Sequence, residues 1–209
     1  MFVKSIETGM LAANCHIIVD TETGVGAVVD PGDYSPALKS EIISAGVTEL
    51  KYILCTHGHF DHVSGVSRLK EEFPNSAVAV GKADKDALSN PTSGLSKYFR
   101  VDFYPCEADI TLSDGDELAI GNITLKVIDA PGHTPGGVLY YCEEEGVMFT
   151  GDTVFRGSVG RTDLRGGDFS LLSETLRKIK AYPESTRLYC GHGENSDIGF
   201  EIKYNPYLK

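Results

Sequence analysis

Four short apolar runs in this chain end at turns that present imidazoles or carboxylates, and this repetition constrains the fold more than any other feature. Tyr52-Ile53-Leu54-Cys55 leads directly into Thr56-His57-Gly58-His59-Phe60-Asp61-His62. Leu125 to Gly132 leads into His133, Gly146 to Gly151 into Asp152, and Arg187 to Gly191 into His192. Runs rich in Val, Ile, Leu, Phe or Tyr that stop at glycine read as strands followed by tight turns. In helix-covered sheets, ligands collect beyond the carboxyl ends of strands, where glycine lets the backbone turn. The four strand ends therefore offer seven candidate metal ligands: His57, His59, Asp61, His62, His133, Asp152 and His192. In the first run, positions 57, 59 and 61 alternate with Gly58 and Phe60, so an extended loop points them one way, and His62 joins if the chain turns helical. Imidazole and carboxylate suit zinc, iron or manganese. The chain has six histidines, and all but His16 lie in these turns.

The remaining pattern gives an α/β chain. Phe2 to Glu7, Asn14 to Asp20 and Gly26 to Asp30 read as strands, and 36–45 reads as a helix burying Leu38, Ile42 and Ala45. After the strand at 51–56, a helix is expected over 62–73 with Val63, Val66, Leu69 and Phe73 on one face, then a strand at 77–80 and a short helix at 82–89. Gly121-Asn122 joins strands 117–120 and 123–129 as a hairpin. Strands at 137–142 and 147–150 follow, then a helix at 169–181 capped by Asp168 and burying Leu172, Leu176 and Ile179, and a strand at 187–190. Strands in blocks with helices between them fit two sheets packed face to face, covered outside by helices, in two similar halves.

The Thr-His-x-His-x-Asp-His run, with single His, Asp and His residues after later strands, resembles the metallo-β-lactamase superfamily. Asn14-Cys15, Pro131-Gly132-His133-Thr134, Gly151-Asp152-Thr153 and Phe155 to Asp163 are similar to its glyoxalase II-like branch. The resemblance runs from Phe2 to about Pro206. It implies an αββα four-layer sandwich of two mixed β-sheets with pseudo-duplicated halves, forming one domain over residues 1–209. It also implies that His57, His59 and His133 hold one divalent ion, that Asp61, His62 and His192 hold a second, and that Asp152 bridges them. Zinc is the expected metal, with iron or manganese as alternatives. Asp61 and Asp152 are the expected catalytic carboxylates, and Arg156 and Arg161 are candidates for substrate binding.

The implied activity is thioester hydrolysis by metal-bound hydroxide, on S-lactoylglutathione or a smaller thioester. Seven ligands without a cysteine argue against a closed structural site, which typically uses four ligands, often thiolates. Persulfide dioxygenases are similar at the same histidine run and at Gly160-Arg161-Thr162-Asp163, and would need only His57, His133 and Asp152 around one Fe(II). A non-enzymatic metal-binding module is a third reading. Larger glyoxalase II enzymes continue into a helical region that binds glutathione, whereas about 17 residues follow His192 here. Tolerance of the thiol portion is therefore expected.

Charge and composition restrict the partners. A net charge of −11, with 19 basic against 30 acidic residues, disfavours a nuclease, because proteins that track phosphates usually carry a basic face. The nearest approach to a basic cluster is Arg156, Arg161 and Arg165. No apolar run is long enough for a membrane span and the start lacks signal-peptide features, so a cytoplasmic enzyme of a small molecule is expected. Five scattered cysteines suggest neither a disulfide framework nor a zinc ribbon. His16 lies within a strand where related chains commonly have Tyr, and a packed or hydrogen-bonded role is expected for it. Cys190 reads as a core thiol, while Arg161 and Asp163 form either an ion pair or an anion site. The stretch Asn90 to Cys106 is the least regular; it reads either as a connector between the halves, with Tyr98, Phe99, Phe103 and Tyr104 filling core, which is the favoured expectation, or as a lid over the metal site.

Overall fold

The computed structural model describes all residues, Met1–Lys209. The first sheet opens with three antiparallel strands, β1 (Phe2–Thr8), β2 (Ala13–Val19) and β3 (Val25–Val29). Helix α1 (Pro36–Ser44) then carries the chain across to β4 (Glu49–Cys55), which is parallel to β3. Two short helices, α2 (Phe60–Val63) and α3 (Val66–Glu72), precede β5 (Ala77–Gly81). A 3₁₀ helix (Lys82–Leu88) and α4 (Ser96–Phe99) separate β5 from β6 (Ile110–Leu112), and the sheet order is β1-β2-β3-β4-β5-β6.

The second sheet repeats this plan. Strands β7 (Glu117–Ile120), β8 (Ile123–Asp129), β9 (Val138–Cys142) and β10 (Val147–Gly151) form an antiparallel meander. A two-strand hairpin, β11 (Val154–Phe155) and β12 (Ser158–Val159), comes next. Helix α5 (Phe169–Ile179) leads to β13 (Arg187–Cys190), which is parallel to β10, and β14 (Ser196–Asp197) and α6 (Ile198–Tyr204) end the chain. In each half an antiparallel set is followed by a helix and a parallel strand, α1 with β4 and α5 with β13. This gives the α/β architecture of two mixed sheets.

Strand alternation generates the layers. Ile18 and Leu54 point to a core shared with Leu125, Tyr140 and Phe149 of the second sheet, so this core lies between the sheets. Their neighbours Ile17 and Ile53 point the other way and pack with Leu38 and Ile42 of α1 and Leu69 of α3. Leu139, Met148 and Leu188 on the far face of the second sheet pack with Leu172, Leu176 and Ile179 of α5. Three apolar layers thus separate four layers of structure, and the central strands, buried on both faces, read as continuous apolar runs.

Most boundaries match the sequence pattern within a residue or two, including the Asp168 cap, whose carboxylate accepts from Ser170 and Leu171 N–H. Three differences have physical causes. The helix expected over 62–73 is broken, because the Gly65 N–H leaves the helical ladder for the Pro31 carbonyl at 2.8 Å. Ala45 is the C-cap of α1 and is only half-buried. The aromatics of residues 90–106 do not fill core: Tyr98, Phe99 and Tyr104 are exposed and Phe103 is half-buried. That segment contains one turn of helix and no strand, so nothing registers its rings into a sheet; Phe99 packs instead against Phe60 at 5.0 Å.

Candidate metal centre

The strand ends meet at one rim. β4 ends where Thr56-His57 begins, His59 is the extended residue before α2, and Asp61 and His62 lie on α2 itself. The chain does turn helical here, so His62 joins the cluster. His133 follows β8, Asp152 follows β10 and His192 follows β13. Gly151, with φ +47°, stands where a Cβ would come within 2.1 Å of Thr56 Oγ1, and a Cβ at Gly191 would meet Asp152 Oδ1 at 2.3 Å. Glycine at 151 lets the two halves close on each other, and glycine at 191 lets the turn of His192 lie against Asp152 within the second half.

All seven candidate ligands come together. His57, His59 and His133 form one group, with donor atoms within 4.8 Å of one another, and Asp61, His62 and His192 form another. Asp152 lies between them: Oδ1 is 3.2 Å from His62 Nε2 and 3.7 Å from His192 Nε2, and Oδ2 is 3.6 Å from His133 Nε2. His59 Nδ1 and His133 Nε2 are 2.8 Å apart, and His62 Nε2 and His192 Nε2 are 3.2 Å apart.

The outer ring nitrogens show which atoms face inward. His133 Nδ1–H donates to the Arg161 carbonyl at 2.7 Å, and His62 Nδ1–H donates to Asp30 Oδ2 at 3.0 Å. The Thr56 hydroxyl donates to Asp30 Oδ2 at 2.6 Å, so its oxygen is free to accept from His57 Nδ1–H at 3.1 Å. Each bond fixes a tautomer whose Nε2 lone pair points into the centre. His57 Nε2 and Asp152 Oδ1 are buried and have no hydrogen-bond partner. Buried acceptors facing one another are costly unless a cation lies among them, so the donor set fits divalent metal ions.

The charge balance agrees. Burial, reinforced by neighbouring imidazoles, holds His57 well below the usual histidine value and His59 at about 4, favouring the neutral rings that metals need. Burial alone would raise Asp152, but His62, His133 and His192 overcome it and bring the carboxyl to about 2. Burial likewise opposes protonation of His62, yet Asp152 and Asp30 raise it well above the usual value. The hydrogen bond to Asp61 raises His192. Carboxylates that favour a proton here would also favour a cation.

The roles of several supporting residues were not evident from sequence. Asp30, buried at the end of β3 with φ +53°, accepts from Thr56 N–H at 2.7 Å as well as from the Thr56 hydroxyl and His62. Asp84, also buried, accepts from Gly58 N–H at 2.9 Å and Gly136 N–H at 2.7 Å, joining the turns that carry His57, His59 and His133. Asn14 Nδ2 donates to the carbonyls of Cys190 and Gly193, both at 2.9 Å, and so clamps the turn of His192.

The other sequence candidates separate. His16 is buried in the role expected of it: Nε2–H donates to the Cys190 carbonyl at 3.2 Å, and Nδ1 accepts from the Ser5 hydroxyl at 2.8 Å. Burial lowers it to about 4. Cys190 is a core thiol. Arg161 makes two bonds to Asp163, each 2.7 Å, and Arg156 stacks on Phe200 at 4.0 Å and pairs with Glu194 at 3.4 Å.

The sequence pattern of the metallo-beta-lactamase superfamily matches residues 8–192, which span the whole of this centre. The chain belongs to the metallo-beta-lactamase superfamily. Among its relatives, an uncharacterized protein of Aquifex aeolicus (strain VF5) is 36% identical over 99% of this chain and 97% of its own length. The hydroxyacylglutathione hydrolase GloC of Haemophilus influenzae is 30% identical, covering 100% of this chain and 98% of that protein. Among solved structures, the BLEG-1 B3 metallo-beta-lactamase superposes with a TM-score of 0.92 at 35% identity, covering 99% of both chains. TTHA1623 in a di-iron-bound form gives 0.86 at 31% identity, covering 98% of this chain and 100% of that one. No helix is long and apolar enough to cross a membrane.

Proposed function

We propose that this superfamily member is a dinuclear hydrolase of thioesters, of the glyoxalase II-like kind. The observation that carries the reading is the inward-facing donor set: two groups of three with Asp152 between them, their outer ring protons held by Thr56, Asp30 and the Arg161 carbonyl. Two divalent ions bound there would supply a water ionised near neutral pH and a Lewis acid for the substrate carbonyl. The chain's part is to fix geometry. Asp152 offers one oxygen toward each group, and Asp61 lies 3.3 Å from His192 and orients it.

The leaving group favours a thioester. A thiol ionises near pH 8.5, so a thiolate departs without a strong general acid, whereas an amide nitrogen needs a proton. The one histidine outside the cluster, His16, is sealed by two hydrogen bonds and is not available to donate. The hydroxyacylglutathione hydrolase relative supports the same substrate class. Asp61 and His62 belong to the run that persulfide dioxygenases share, so it is the placement of His192 beside them that favours a dinuclear centre over a mononuclear Fe(II) oxygenase using only His57, His133 and Asp152. Zinc is the proposed metal; the di-iron neighbour makes iron the alternative.

Metal-loaded protein assayed in parallel on S-lactoylglutathione, a cephalosporin, and glutathione persulfide with an oxygen electrode tests the reading. Thioester cleavage is expected. β-Lactam opening without thioester cleavage, or oxygen uptake on the persulfide, would replace it.

A further inference from the structure

Arg156 and Arg161, two arginines that follow Asp152, are each paired with a carboxylate, whereas Arg68 on the other side of the centre is not. A hollow of about 260 Å³ opens beside Asp61, between the turn joining β1 to β2 and residues 101–104. Met10, Phe60, Val101 and Tyr104 give it apolar walls. Met10 is 74% exposed although it sits beside the centre, which leaves an apolar surface available to a ligand.

Arg68 of α3 stands on the same hollow. Its guanidinium lies 4.4 Å from the centroid of the Tyr104 ring, and its Nη2–H donates to the Tyr104 hydroxyl at 2.9 Å. These two contacts hold the planar donor fork in one orientation and use one of its five donors. Arg68 makes no ion pair, although acidic residues outnumber basic ones 30 to 19 in this chain. A held guanidinium with free donors, above an apolar wall and next to a metal-ligand candidate, has the composition of a carboxylate subsite.

The rim also limits the charge it will accept. Asp33 and Asp102 line the same hollow, and Asp33 Oδ1 is already occupied by the Tyr34 N–H at 2.8 Å. Two carboxylates nearby repel a phosphate, which carries close to two charges, more than a carboxylate in direct contact with the fork.

We propose that Arg68, oriented by Tyr104, forms a specificity subsite for a substrate arm that ends in a single carboxylate, with Met10 and Phe60 against the arm's methylenes. The proposal rests on the thioester reading. The carboxylate belongs to the acyl arm or to the thiol arm, and three probes separate these sources. S-acetyl-N-acetylcysteamine is neutral, S-succinyl-N-acetylcysteamine carries the charge on the acyl side, and S-acetyl-3-mercaptopropionate carries it on the thiol side.

In metal-loaded wild-type protein, kcat/KM is expected to be higher for one charged probe than for the neutral one. Arg68→Gln should lower that charged-to-neutral ratio about ten- to hundredfold, the range for losing a hydrogen bond to a charged group. Tyr104→Ala should lower it less, because it frees the guanidinium without removing it. A ratio unchanged in Arg68→Gln overturns the subsite and leaves thioester hydrolysis standing. If no thioester turns over, the functional reading fails, and calorimetry with 3-(ethylthio)propionate decides the subsite separately. Weaker binding to Arg68→Gln supports it, and equal binding to both proteins overturns it.

Discussion

Asp30→Asn tests how the candidate centre is held, because asparagine keeps the shape of the site and changes one donor. Asparagine tolerates the left-handed backbone at φ +53°, and its carbonyl oxygen can still accept from Thr56. Its amide NH₂ then faces His62 Nδ1, where a carboxylate oxygen now accepts the ring proton at 3.0 Å. Two donors cannot face each other, so the His62 proton moves to Nε2, the nitrogen that points at Asp61, Asp152 and His192. Loss of such a partner typically lowers metal affinity 10- to 100-fold, or about 1.4–2.8 kcal/mol. The larger effect should fall on the ion held by Asp61, His62 and His192, because Asp30 meets His62 directly but reaches His57 only through the Thr56 hydroxyl. Chelator competition followed by metal analysis, with circular dichroism to confirm folding, measures it. A folded variant that binds both ions as tightly as wild type would refute the orienting role.

Asp152→Asn should abolish most turnover and reduce bound metal from two ions while the thermal unfolding of metal-free protein changes little; retention of two ions with near-full turnover would reject the bridging role. Asp84→Ala leaves the buried N–H groups of Gly58 and Gly136 without acceptors, at about 1–3 kcal/mol each, so urea unfolding should show a loss of roughly 2–6 kcal/mol. A change below about 0.5 kcal/mol would contradict this. His16, lowered to about 4 by burial, stays neutral in the fold while the unfolded chain takes up a proton below about pH 6.5. Its contribution is therefore complete above pH 6.5 and is lost as pH falls toward 4, by about 3 kcal/mol. Metal-free His16→Asn should show a correspondingly shallower decline than wild type over that window, and parallel curves would show that His16 is not responsible.

The candidate ligand cluster was legible because its histidines are a rare residue type placed after apolar runs, and because the glycines at the strand ends signalled tight turns. Asp30 was harder to see, since Asp-Pro-Gly reads as an ordinary turn. Its signal was the repeat itself: Asp30 ends the strand before one parallel crossover, just as Asp152 follows the strand before the other. Asp84 sits in Lys-Ala-Asp-Lys-Asp, which reads as a solvated face; only the tertiary fold brings Gly58 and Gly136 to it. The break at Gly65 depends on the Pro31 carbonyl, more than thirty residues away in sequence, and no local pattern reports that contact. Helix α6 is only seven residues long, too short for periodicity to separate it from a turn, yet its buried Glu201 accepts from the Gly157 N–H at 2.9 Å and ties the hairpin after Asp152 to the chain's end.

The central claim is that two metal ions, held by these seven side chains, act together on a thioester. Titrating chelator-treated protein with zinc while following thioester hydrolysis tests it most directly. The rate should rise to a plateau at two equivalents, with Asp61→Ala needing a higher zinc concentration for the second step. A plateau at one equivalent, or binding of two equivalents with no hydrolysis, would contradict it.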